Sequence, residues 1–173
     1  MQALWSEFLK NLGQPEYVHV LLNPLPVYGL AAGLCCLVVA LVARSRGGQG
    51  VALVLILLTA VSAWPVAHFG EAAYDRVLSM SDATAAKWLN WHANLADYIV
   101  GADTVAAVLA AAALVGLWKF PRLLRWALPL AAAAAVIALG LGGFLAFVGG
   151  KIRHSEFRHG PPPPWADTAP DEN

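Results

Sequence analysis

Histidine is the residue whose type and placement in this chain could do chemistry. There are five, and four of them (His19, His68, His92 and His154) lie at or just beyond the ends of four separate apolar stretches. Neutral imidazole ligates iron, zinc and copper, and it exchanges protons near neutral pH. Two of these histidines have a carboxylate three residues away, Glu16 before His19 and Glu71 after His68. A helix puts such a pair on one face, the spacing used by carboxylate-bridged di-metal bundles. Two further acids, Asp97 and Asp103, lie inside the third stretch. An acid at bilayer depth must face protein or water rather than lipid. The two are read as a proton path toward a redox centre or a quinone, the alternative being a polar link to another helix or to a partner subunit.

The elements that must position these groups follow from composition. Of 173 residues, 59% are hydrophobic and 13% charged, the balance of a chain whose surface meets lipid. The net charge is zero, with no dense basic block, which excludes nucleic acid as a partner. A helix needs about 20 apolar residues to cross a bilayer. Four stretches supply them, approximately 17–43, 51–69, 91–118 and 123–148, predicting an all-α, up-and-down four-helix integral membrane bundle over 17–160. Residues 1–16 read as an interfacial amphipathic helix, with Leu4, Trp5, Phe8, Leu9 and Leu12 making one apolar face and no signal-peptide core. After Gly160, four consecutive prolines and a polar run predict a disordered tail over 161–173. Cys35 and Cys36, adjacent within the first apolar stretch, read as small apolar fillers.

Orientation comes from the short loops. Arg44 and Arg46 lie between the first two helices, and Lys119, Arg122 and Arg125 between the last two, with no acid in either place. The positive-inside rule puts these loops in the cytoplasm and both termini on the periplasmic side of a bacterial inner membrane. Tyr17, Trp64, Trp88 and Trp91 should ring the outer interface, with Trp118 and Trp126 at the inner one. Gly29 and Gly33 in the first helix, and Gly142, Ala146 and Gly150 in the fourth, should let helix backbones approach closely. Pro24, Pro26 and Pro65 should kink or loosen helices near the histidines.

With that threading, the four histidines gather near one membrane surface. Opposite corners of a four-helix bundle are about 14 Å apart. Such a gap suits a flat macrocycle held by two axial imidazoles, and the diagonal pairs are His19 with His92 and His68 with His154. No Cys-x-x-Cys-His motif occurs, so a haem would be of b type, one or two per chain. The function expected is a haem-binding subunit passing electrons between the quinone pool and a periplasmic redox partner, with Glu16, Asn94 or Glu71 orienting the imidazoles. One alternative is a cofactor-free accessory subunit of a larger membrane complex. A second is a non-haem metal site using the histidines with Glu16 and Glu71.

The stretch His19-Val-Leu-Leu-Asn-Pro-Leu-Pro26 resembles the His-Pro-x-x-Val-His-Phe-Pro opening of a family of small bacterial four-helix membrane proteins of unknown function. Trp91-His92-Ala93-Asn94 is similar to that family's His-plus-Asn start of helix three, and Gly149-Gly150-Lys151-Ile152 to its Gly-Gly-x-Leu end of helix four. Val20 replaces the motif's first proline and Pro24 its second histidine, so the resemblance carries over only His19 and His92. Some members are joined to Rieske-type iron–sulfur domains, which implies electron transfer by analogy.

Overall fold

The computed structural model describes residues 1–167, which are all-α. Four helical spans are long and apolar enough to cross a membrane: Pro15–Val42, Arg46–Ser79, Ala83–Trp118 and Pro121–Arg153. This is a multi-pass membrane protein. A short helix, α1 (Gln2–Asn11), precedes them with no buried residue, so its Leu4, Trp5 and Leu9 stand uncovered.

Each of the first two spans is broken once. The first consists of α2 (Pro15–Leu22) and α3 (Pro24–Val42), the second of α4 (Arg46–Val61) and α5 (Ala63–Ser79). A proline has no N–H to donate to the carbonyl four residues back and its ring crowds that carbonyl. Pro24, Pro26 and Pro65 act at these two breaks. Pro129, by contrast, is carried inside α7 (Pro121–Arg153) without interrupting it. The third span is the single helix α6 (Ala83–Trp118). Side-chain caps open two of the helices: the Ser45 hydroxyl accepts from the Gly48 N–H, and Asp82 Oδ1 accepts from the Ala85 N–H at 2.7 Å.

The chain forms two compact units. One comprises Met1–Leu22, Pro65–Tyr98 and the C-terminal part from Phe144; the other comprises Asn23–Trp64 and Ile99–Gly143. In the second unit small residues set the helix contacts. A Cβ at Gly29 would lie 2.1 Å from Thr59 Cγ2, and one at Gly33 2.7 Å from Ile56 Cγ1, so α3 meets α4 backbone to side chain. The Arg46 guanidinium donates to the Leu117 carbonyl between α4 and α6. Gly116 sits against Leu124 of α7, and Gly142 of α7 against Val27 of α3, closing a ring. Its core is Leu30, Leu37, Leu53 and Ile56 set among buried alanines of α6 and α7. Without a hydrophobic drive between helices in lipid, such close contact is what holds them together.

Three expectations change. The helices are longer than hydropathy alone suggests; α6 begins at Ala83, two turns before the apolar stretch, because the Asp82 cap gives its first turn a partner. Trp88 is not an outward-facing ring but a covered one, only 4% exposed, with Lys151 Nζ over its face. The start of the tail is ordered: Pro164–Asp167 form a 3-10 turn that buries Ala166. The expectation of disorder beyond that turn concerns residues 168–173, which lie outside the described residues.

Candidate functional site

The first unit brings together His19 of α2 and His92 of α6. Their ring centres are 6.5 Å apart and their planes are nearly perpendicular, at 87°. Each ring is clasped by a different helix. His19 Nδ1 lies 2.8 Å from the Val66 carbonyl of α5. A carbonyl can only accept, so Nδ1 is the donor, and in the neutral tautomer of the ring this leaves Nε2 with the lone pair of a ligand. One turn on, Gly70 leaves the space the ring occupies: a Cβ there would stand 2.9 Å from His19 Cε1 and Nδ1.

His92 repeats this clasp on α7. A Cβ at Gly149 would stand 3.0 Å from His92 Cε1 and 3.1 Å from Nδ1, and the Leu145 carbonyl, four residues earlier, lies by the ring. Here the hydrogen bond is not closed. His92 Nδ1 is buried with no partner, a deficit of about 1–3 kcal/mol for a polar atom that has left water. Carbonyl and glycine are four residues apart on both helices, so the two imidazoles occupy equivalent seats, one completed and one unsatisfied.

The other histidines are elsewhere. His68 is exposed and meets the edge of its neighbour Phe69. His154 is exposed, pairs with Glu156 at 2.9 Å and stacks on Phe157 at 4.9 Å. Glu156 is held below the usual carboxylate range by its own backbone N–H and then by His154. His68 and His154 are thus not brought to the inward-facing pair. The carboxylates also stand apart. Glu16 forms an ion pair with Arg76 at 2.9 Å, which in turn donates to Gln14, and Glu71 is exposed. The orienting partner of His19 is therefore a backbone carbonyl rather than Glu16. Among the described residues no group of three or more His, Cys, Asp or Glu gathers to hold a metal ion. Asp97 is exposed, whereas Asp103 is 2% exposed, belongs to the second unit and has an unpartnered Oδ1.

Gly70 and the Val66 carbonyl escape a reading of the sequence. A backbone acceptor has no residue signature, and a lone glycine in a membrane helix is unremarked unless its neighbour is known. Gly149 stands in the segment that resembles the family motif, but its contact with His92 does not follow from the motif. Comparison of the chain with protein-family models, curated proteins and solved structures finds no match.

Proposed function

We propose that this protein is a membrane electron carrier in which His19 and His92 would hold the iron of one b-type haem. The observation that carries the reading is a pair of neighbouring imidazoles with no third His, Cys, Asp or Glu gathered to them among the described residues. A bare ion bound by protein alone needs three or four donors. A haem brings four nitrogens of its own, so His19 and His92 would suffice as the protein's share of its ligands. Two imidazoles gripping one metal atom, each through a bond of about 2 Å, have ring centres about 6 Å apart, close to the 6.5 Å found between His19 and His92. The Val66 carbonyl supports the same role, since a ligating imidazole is oriented by an acceptor on its other nitrogen.

When bound, a haem would supply one-electron chemistry; His19 and His92 would hold it, and the Val66 carbonyl would orient His19. The charge of the short loops supports a bacterial inner membrane with Arg44, Arg46, Lys119, Arg122 and Arg125 on the cytoplasmic side. The histidine pair is then near the periplasmic surface, where a quinol could deliver electrons to an outer redox partner. The resemblance to the four-helix family carrying Rieske fusions supports this direction of thought and rests on the same two histidines.

A specific observation favours a second reading. Perpendicular rings at 6.5 Å also fall in the range of an ordinary edge-to-face aromatic contact, as a cofactor-free accessory subunit would have. Reduced-minus-oxidised spectra of protein produced with ample haem separate the two. The haem reading expects sharp low-spin bands that H19A and H92A each abolish, while H68A and H154A keep them. A haem-free protein, or full bands in both H19A and H92A, refutes it.

A further inference from the structure

Lys151, in the last turn of α7, is a largely covered lysine whose ammonium lies against two aromatic rings. It is 9% exposed, and its Nζ lies 4.4 Å from the ring centre of Trp88 and 4.6 Å from that of Phe147. Among the described residues no carboxylate comes within ion-pair distance of it. Trp88 adds an independent deficit: it is 4% exposed, and its Nε1–H is buried without an acceptor. An ammonium and a buried indole N–H with no acceptor among the described residues thus lie next to one another in the first unit.

The acids nearest in the chain are committed elsewhere. Both carboxylate oxygens of Asp82 accept from Arg158 Nη1, and Glu156 pairs with His154. Arg158 also donates to the Lys151 and Ile152 carbonyls, which fixes the end of α7 beside Asp82. Exposed Arg153 adds further positive charge. The cation–π contacts occupy the faces of Trp88 and Phe147 but do nothing for the buried indole N–H.

We propose that Lys151 and Trp88 form an oxyanion site that takes a carboxylate or phosphate group. A membrane offers two sources of that chemistry. One is the phosphate of an anionic lipid headgroup, reached from the last turn of a spanning helix. The other is a carboxylate arm of a bound macrocycle: Trp88 precedes His92 by one helical turn, and Lys151 follows Gly149 by two residues. The second source rests on the proposed haem function, and the first does not.

The test uses two matched pairs of probes on the full chain in a neutral detergent. Native mass spectrometry counts bound phosphatidylglycerol against phosphatidylcholine, and a spectral titration compares haemin with its dimethyl ester, which lacks the free carboxylates. The wild type is expected to prefer the acidic member of at least one pair by about 10-fold or more, the scale of a charge-assisted hydrogen bond. K151Q should bring that preference near unity, K151R should retain it, and W88F should reduce it part-way. Preference for phosphatidylglycerol identifies the lipid source, and preference for haemin the macrocycle. H19A and H92A separate the two proposals, because they should abolish haem binding and leave lipid discrimination intact. No acidic preference in either pair, or an unchanged preference in K151Q when K151R and the wild type behave alike, overturns the site.

Discussion

Replacing Gly70 by alanine tests whether the His19 clasp is real. The new Cβ would sit 2.9 Å from His19 Cε1 and Nδ1, and ordinary contact begins at 3.4 Å, so the ring must retreat by about 0.5 Å (3.4 − 2.9). Overpacking of this kind costs about 1–3 kcal/mol. The retreat also lengthens the 2.8 Å bond to the Val66 carbonyl, worth about 1 kcal/mol. Against this, exchanging glycine for alanine within a helix gains about 1 kcal/mol. The net expectation is a loss of about 1–3 kcal/mol. Gly101 is the internal control, since nothing lies within 4 Å of its Cβ position; G101A should gain up to about 1 kcal/mol. G149A crowds His92 similarly but has no Nδ1 hydrogen bond to lose, so it should cost about 1 kcal/mol less than G70A. Reversible unfolding in mixed micelles, titrated with a denaturing detergent, measures all three. If G70A and G101A are equally stable, His19 does not sit where described and the clasp is wrong.

Other outcomes follow from the same packing. G29A should be more damaging than G33A, and G33A more than G142A, because their Cβ atoms would stand 2.1, 2.7 and 3.3 Å from Thr59, Ile56 and Val27; the order of unfolding midpoints checks this, and a reversed order refutes the close α3–α4 contact. D103L should leave stability unchanged or raise it by about 1 kcal/mol, since it removes a buried carboxyl oxygen that has no partner; a loss in the same assay would reveal a bond that Asp103 makes. Asp82 is held below its ordinary value of 3.8 by the Ala85 N–H and then by Arg158. Its contribution is therefore complete above about pH 4 and is lost as pH falls through the lower folded value. Melting temperature should fall more steeply below about pH 4 in the wild type than in D82N, and identical acid limbs would show that the cap is not felt.

Much of the architecture was legible in order of residues alone. Four spans follow from runs of apolar residues, because a bilayer demands about 20 of them per helix whatever their neighbours. The breaks at Pro24 and Pro65 follow from a missing N–H. Gly29, Gly33 and Gly142 were legible as contact points because small residues serve that purpose in lipid. The extra turns of α6 were not, since they depend on a polar cap that hydropathy does not register. Nor was the burial of Trp88, because an indole beside polar residues has the same composition whether it meets headgroups or a lysine.

The histidines divide along the same line. Their height along the helices follows from counting residues at a fixed rise, so the chain itself determines which end they occupy. Which way each ring points depends on the rotation of its helix and on what the neighbour leaves open. Only packing decides that: Gly70 and Gly149 make room for His19 and His92, while His68 and His154 face outward. A carbonyl at Val66 and an orphaned nitrogen on His92 are properties of backbone and distance, and residue identity does not encode them one at a time.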